Sequence, residues 1–349
     1  MKHSTNRILT THAGRLDGPR ELMESSLAIM SGRSTDVAAL LPKVRSAMVE
    51  VVRKQAEAGI DVVSDGELGK TGFGGIAYYG RRLSGLSTRK LNPGEAPFMA
   101  LGTGERIEFS DFYKDLQFMP APKERAICSG PIRYIGGEEV KRDLEFFKGA
   151  LAEANTKPEE TFMCVLAPGW LEHFFYNEHY PTDEEYRKFA AARVEALNQA
   201  LQGLPEDRVR YHICWGSWHG PHTHDLPLKH VIDLMLQVQA GAYSVEAANA
   251  RHEHEWKLWK EVKLPAGKML IPGVVSHATN VVEHPELVAD RILRYAGLVG
   301  RENVIAGTDC GMGARVHPQI AWAKLKALAE GAALATRELW GSASVQAQA

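Results

Sequence analysis

Eight short apolar runs of β type, separated by longer stretches with helical spacing, predict an α/β protein folded as one (β/α)8 TIM barrel. Two further observations point the same way. The 349 residues leave room beyond the roughly 250 of a typical barrel, enough for insertions but not for a second domain of that size. No Gly-x-Gly-x-x-Gly turn follows the first run and no Walker-type loop occurs, so nothing marks the nucleotide crevice of an open doubly wound sheet, the alternative architecture.

In chain order the runs are 8–14 (ILTTHAG), 61–67 (DVVSDGE), 126–132 (AICSGPI), 162–169 (FMCVLAPG), 209–216 (VRYHICWG), 242–249 (AYSVEAAN), 268–276 (KMLIPGVVS) and 303–311 (NVIAGTDCG). Most end in glycine, proline, serine or asparagine, as strands entering turns do. Amphipathic helical patterns lie between them at 37–58, 138–154, 183–204, 228–240, 285–299 and 319–339. The piece 81–125 lacks a clean helical pattern and contains NPGEAP, GTGE and MPAPKE, which predicts an inserted loop or hairpin after the second strand. Insertions of this kind serve as lids or subunit contacts, so a homo-oligomer stays open. A single domain is expected over 1–340, followed by a flexible tail, 341–349 (GSASVQAQA), too small and polar to bury surface.

A net charge of −2 excludes a basic nucleic-acid binder. Four cysteines, at 128, 164, 214 and 310 and without a Cys-x-x-Cys pair, do not make a disulfide scaffold and suit a reducing compartment. No run approaches the roughly 18 apolar residues that span a bilayer, and MKHSTNRILTTHAG lacks a signal-peptide core, so a cytoplasmic protein without membrane contact is expected.

In a closed barrel, reactive side chains gather at the C-terminal strand ends. Here the runs end in His12, in Asp65 and Glu67, in Ser129, in Trp170, in His212 and Cys214, in Glu246 and Asn249, in His277, and in Asp309 and Cys310. His212 and Cys214 stand two apart on a strand and so share a face. With Glu246 and Cys310 from the sixth and eighth runs they supply one nitrogen, one carboxylate and two thiolates, a donor set suited to tetrahedral zinc. Cys128 and Cys164 read as buried core thiols.

Nine of the 14 histidines fall within 212–284. His222-Thr-His224 lies in a Gly-Pro loop. His252-Glu-His254 opens a helix, where side chains two apart diverge, so these pairs read as loop and helix-end groups rather than ligands. Trp170, Trp215 and Trp218, with Phe174, Phe175 and Tyr176, either pack the core or wall a substrate pocket.

His212-Ile-Cys214, Ser244-Val-Glu246 and Thr308-Asp-Cys310-Gly311 resemble the zinc-site signatures in the catalytic half of cobalamin-independent methionine synthase. Asp65-Gly-Glu67 resembles that family's second-strand substrate carboxylate, and Ser129-Gly-Pro131 its third-strand turn. HICWG…WHGP, AANARHEHEW and EHPELVADRI are similar to a standalone branch that includes epoxyalkane:coenzyme M transferase. The resemblance implies a (β/α)8 barrel in which zinc holds a substrate thiol as thiolate for attack on an electrophilic carbon, which makes an alkyl- or methyltransferase. It implies the ligands His212, Cys214, Glu246 and Cys310, with Glu246 yielding to the thiol and His277 as the acid. Substrate contacts are expected at His12, Asp65, Glu67, Ser129, Trp170, Trp215, Trp218 and Asp309, and the partners are a small-molecule thiol and an alkyl donor.

Two departures fall where the family grips homocysteine. Val165-Leu-Ala-Pro-Gly-Trp170 replaces its Asp-Glu-Pro, and Thr10-Thr-His12 replaces a Gly-Ser pair. There is also no room for the duplicated barrel that helps hold polyglutamyl folate. The resemblance therefore carries the zinc chemistry and leaves the thiol open. The alternatives are a zinc lyase or hydrolase using metal-bound water, and a non-catalytic zinc-binding barrel.

Overall fold

A computed structural model describes residues 1–30, 38–70, 78, 80–93, 103–115, 124–167, 176–179, 181, 194–216 and 219–341. Its largest unit is a parallel sheet in the order β1 (Leu9–Thr10), β10 (Ile305–Thr308), β9 (Met269–Val275), β8 (Ala242–Val245) and β7 (Arg210–Ile213). β2 (Val62–Ser64) and β5 (Glu160–Phe162) form a parallel pair. β8, β9 and β10 are buried on both faces, the mark of parallel strands covered on each side.

Side chains tie the pair to the sheet at both ends. Thr10 N donates to Asp61 Oδ2 (2.8 Å) and Thr11 Oγ1 to Val62 O (3.1 Å), which sets β1 beside β2. The Arg210 guanidinium of β7 lies 4.6 Å over the Phe162 ring of β5. Six of the eight predicted runs thus contribute strands to these parallel arrays, and a seventh, 162–169, meets β5 only at Phe162.

The run predicted at 126–132 behaves differently. It enters β4 (Glu124–Cys128), which pairs antiparallel with β3 (Leu86–Lys90) and parallel with β6 (Tyr176–Asn177) in a separate three-stranded sheet. β3 lies inside the 81–125 stretch and offers β4 a full antiparallel edge. Its start is fixed by the Ser129 and Gly130 amides, which both donate to Gly85 O at 2.8 and 3.1 Å. β2 consequently pairs with β5 directly.

Helices cover the sheet much as the periodicity predicts, at Leu40–Glu57, Gly137–Glu153, Pro285–Val299 and Pro318–Trp340. The last buries Ala321, Leu325, Leu328, Ala332 and Ala335, a stripe at spacings of three and four. Each leucine there contributes about 1.5–3 kcal/mol by burial. Helices Pro285–Val299 and Pro318–Trp340 start the same way: the Glu286 and Gln319 amides donate to Nδ1 of His284 and His317, with proline at the first helical position. Arg20–Met30 is a helix the sequence reading did not anticipate. The expected tail beyond Gly341 and all of 183–193 lie outside the described residues. No helix among the described residues is long and apolar enough to cross a membrane.

Gly273 on β9 sets the spacing at the functional end of the sheet. A Cβ there would come within 2.1 Å of Asp309 Oδ1 and 2.6 Å of its backbone. Replacement of Gly273 by alanine is expected to cost at least about 2 kcal/mol in urea denaturation. Gly267→Ala serves as the control: its φ of +76° is left-handed but its surroundings are open, so it should lose about 1–2 kcal/mol. Equal losses in the two variants would contradict the close approach at Gly273.

Candidate metal centre

β7 and β8 pair with His212 opposite Ser244. This register sets Ser244 Oγ 3.0 Å from His212 Nδ1, which fixes the ring and leaves Nε2 buried with no hydrogen-bond partner. Cys214 lies two residues on, and Cys310 follows directly after β10. One ligand atom from each of His212, Cys214 and Cys310 lies within 4.8 Å of the others. Cys214 is exposed and Cys310 intermediate, so the group opens to solvent.

The two thiols shift each other in opposite directions. The Cys310 thiol beside it, then His212, pull Cys214 well below its ordinary range, while Cys310 is pushed well up by that neighbour and by burial. Burial alone would lower His212, but Cys214, Glu246 and Asp309 raise it on balance.

Glu246, His277 and Asp309 form a second, buried group of the same compactness, so the expected fourth ligand stands in the neighbouring group. Asp309 has no exposure. Its Oδ1 accepts the amides of Ala247 (2.6 Å) and Ala248 (2.8 Å), and its Oδ2 accepts Asn249 Nδ2 (2.9 Å). Asp309, expected as a substrate contact, thus clamps the turn after β8 from within. Burial raises its pKa, and those three donors restrain the rise.

Glu246 follows from that turn. Its Oε1 accepts Trp215 N (3.1 Å), and its Oε2 accepts Asn249 Nδ2 (2.7 Å) and Arg251 Nη2 (2.8 Å). Burial, then the charge of Asp309, lift it to about 7 against the pull of Arg251. His277 is 1% exposed with Nδ1 unpartnered, and burial followed by the charge of Arg251 lowers it to about 3. Burial thus favours its neutral form near pH 7. Its loop is pinned by Ser276 N donating to Glu283 Oε1 (2.8 Å), while Glu283 Oε2 meets the buried Lys324 at 2.8 Å.

Sequence reasoning missed the layer behind Glu246. Arg251 reaches Asp225 Oδ2 (2.9 Å), and Asp225 also holds His222 (3.0 Å) and faces His252 Nε2 (3.4 Å). His252 Nδ1 meets Glu255 Oε2 (2.9 Å), and its ring stacks on Trp215 at 4.1 Å. The signal available was the alternation of basic and acidic residues in ARHEHE (250–255), shortly after the candidate ligand Glu246. His224 instead lies exposed against Glu108 (2.8 Å).

The other expected contacts are spread out. His12 is buried, with Nε2 2.8 Å from Gln55 Oε1 and Nδ1 accepting Gly14 N, and burial lowers it to about 4. Asp65 is buried and raised to about 6, chiefly by burial. Glu67, at a φ of 57°, pairs with Lys70 (3.1 Å). Gly14 makes room here, since a Cβ would meet Cys164 Sγ and Glu67 Oε1. Ser129 is exposed on the separate sheet, bonded to Ser87. Trp215 donates through Nε1 to Leu226 O (2.5 Å). Trp170 and Trp218 lie outside the described residues.

His252 is 2% exposed, yet the neighbouring carboxylates of Asp225 and Glu255 outweigh burial and raise it from 6.5 to about 9. Its proton stabilises the fold fully below pH 6.5, and the effect fades as pH rises through 9. A shift of that size corresponds to up to about 3 kcal/mol. Urea denaturation at pH 6.5 and 9.5 should show His252→Gln losing less stability across this interval than the parent. Parallel losses would contradict the protonated cluster.

No family model matches the chain. It is 24% identical over 317 residues to the methionine synthase of Thermococcus kodakarensis, an alignment covering 85% of this chain and 84% of that protein. It is 23% identical over 368 residues to the 2-hydroxypropyl-CoM lyase of Xanthobacter autotrophicus, covering 95% and 96% respectively. In fold it is similar to a B12-independent methionine synthase from Shewanella sp. W3-18-1, solved with selenomethionine, with a TM-score of 0.70, 19% identity, and coverage of 95% of this chain and 99% of that one. Along nearly its whole length, then, the chain is similar to methionine synthases, in fold to one of the B12-independent type, and to 2-hydroxypropyl-CoM lyase.

Proposed function

We propose that the chain is a zinc-dependent transferase in which a small-molecule thiolate attacks the electrophilic carbon of a methyl or other alkyl donor, so that the sulfur–carbon bond forms as the bond from that carbon to the donor's leaving group breaks. The observation that carries this reading is the meeting of two thiols with a buried imidazole nitrogen that has no partner in the protein. One nitrogen and two sulfurs are donors that zinc accepts in tetrahedral geometry, and three protein ligands leave a position for substrate. His212, Cys214 and Cys310 would hold the ion, and Glu246 would be an exchangeable fourth ligand. When bound, zinc supplies the charge that keeps a substrate thiol deprotonated near pH 7.

The chain's own groups divide the remaining tasks. Ser244, hydrogen-bonded to His212 Nδ1, would fix the ring so that Nε2 is left for the metal. Arg251 and Asn249 hold Glu246 through Oε2, so as a ligand it would give way readily to an incoming thiol. His277, neutral, offers Nδ1 as a hydrogen-bonding atom beside the reacting groups. On this reading the parallel strands belong to a closed (β/α)8 barrel over 1–340 with an insertion at 81–125, a reading supported by the fold similarity above. A cytoplasmic setting would keep both sulfurs as thiols. A lyase acting through the same thiol chemistry is the second reading, favoured by the whole-length similarity to 2-hydroxypropyl-CoM lyase.

Elemental analysis after equilibrium dialysis tests the centre. The parent should retain one zinc per chain, and Cys214→Ser and Cys310→Ser should each retain less than a fifth of that with unchanged circular dichroism. Stoichiometric zinc in Cys310→Ser would overturn the ligand assignment, and turnover that needs no thiol would replace the transferase with the water-based reading.

A further inference from the structure

Among the positions that helix Pro318–Trp340 turns inward, Lys324 carries the single charge, set among Ala321, Leu325, Leu328, Ala332 and Ala335. It is 0% exposed. Its Nζ donates to Val281 O and, at 2.8 Å, to Glu283 Oε2, so both partners lie on the loop between β9 and helix Pro285–Val299. Glu283, itself buried, extends the contact: its Oε1 accepts Ser276 N at 2.8 Å. One ion pair thereby ties the two ends of loop 276–283 together and holds them on the helix.

That loop has little else to hold it. Ala278, Thr279, Asn280, Val281 and Val282 are all exposed, Val281 to 70%, so no apolar side chain of the turn anchors it in the core. The other hydrogen bonds within it are local, with Ala278 N donating to Ser276 Oγ and Val281 N to Thr279 Oγ1, each at 3.1 Å. Turns of this kind shape a loop without fixing it to the body. His277 stands at the inner end, 1% exposed, in one compact group with Glu246 and Asp309. Its Nδ1 has no hydrogen-bond partner, so the backbone on either side places the ring.

A buried ion pair is a poor device for stability alone, since desolvation offsets much of its attraction and apolar side chains of similar size often serve as well. An apolar pair supplies no direction, however: it has no donor for Val281 O and no acceptor for Ser276 N. We propose that Lys324 is a positioning residue for His277, which through Glu283 and Val281 O holds loop 276–283 in the shape that keeps the imidazole beside Glu246. The use of His277 rests on the transferase reading. The hold on its loop rests on the contacts above.

Carbethoxylation by diethyl pyrocarbonate near pH 7, located by fragment mass spectrometry on protein dialysed against zinc, tests it. The reagent attacks neutral, accessible imidazole. Burial favours the neutral form of His277 and of His12 alike, and His12, buried and held by Gln55, reports on the rest of the fold. In the parent both should react slowly. In Lys324→Met, which keeps the length of the side chain without its charge, His277 should react at least about tenfold faster while His12 keeps its parent rate. Should that variant fail to fold because Glu283 is left unpaired, Lys324→Met/Glu283→Gln, which buries no lone charge, decides the question with the same result expected. His277 as slow as in the parent, or His12 accelerated to the same degree, would overturn the positioning role. Zinc content of the same samples separates the two claims. The variants should keep the parent's zinc, because the partners of Lys324 lie on the loop and not among His212, Cys214 and Cys310. Zinc lost together with the protection of His277 would make the pair a support of the whole centre and overturn the proposal. A parent without zinc whose His277 is still released by Lys324→Met would overturn the transferase reading and uphold the positioning.

Discussion

The buried carboxylate of Asp309 is the constraint on which the rest of the site depends. A charge with no exposure is tolerated only when donors surround it, and here two backbone amides and the Asn249 side chain do so. Those amides belong to the turn after β8, whereas Asp309 belongs to the end of β10, two strands away. One side chain thereby fixes the relative position of Glu246 and Cys310. Gly273 on the intervening strand leaves the space in which the carboxylate crosses, and Arg291 closes the far side by donating to Val274 O and Ala248 O.

From that clamp the donor arrangement follows in order. Ladder pairing puts Ser244 against His212 and so leaves one imidazole nitrogen unpartnered beside two thiols. The turn held by Asp309 delivers Asn249 and Arg251 to Glu246, and these keep the carboxylate in the adjoining group. Arg251 is in turn held by Asp225, which shares its oxygens with His222 and His252. The arrangement therefore consists of a thiol-imidazole face open to solvent, backed by a buried ionic layer. A layer of this kind resists distortion, because removing one partner leaves the others buried and uncompensated.

Much of this was legible in the sequence because it depends on local period. His212 and Cys214 share a face because strands repeat every two residues, and helix Pro285–Val299 was bounded correctly because a proline follows its cap and a glycine ends it. What was not legible depends on partners remote in sequence. Asp309 reads as a rim acid, yet its oxygens are taken by amides about sixty positions earlier. His12 reads as a substrate contact, yet Gln55 and Gly14 occupy both its nitrogens. The run at 126–132 has the composition of a barrel strand, but β3 from the neighbouring stretch competes for its edge, and composition does not say which edge wins.

The most direct test of the account is zinc X-ray absorption on the loaded protein before and after addition of thiol. The resting spectrum should fit two sulfurs with lighter nitrogen or oxygen donors, and 3-mercaptopropionate should add a third sulfur at the expense of an oxygen. A resting shell without sulfur, or one unchanged at saturating thiol, would contradict the claim that His212, Cys214 and Cys310 form an open centre for a substrate sulfur.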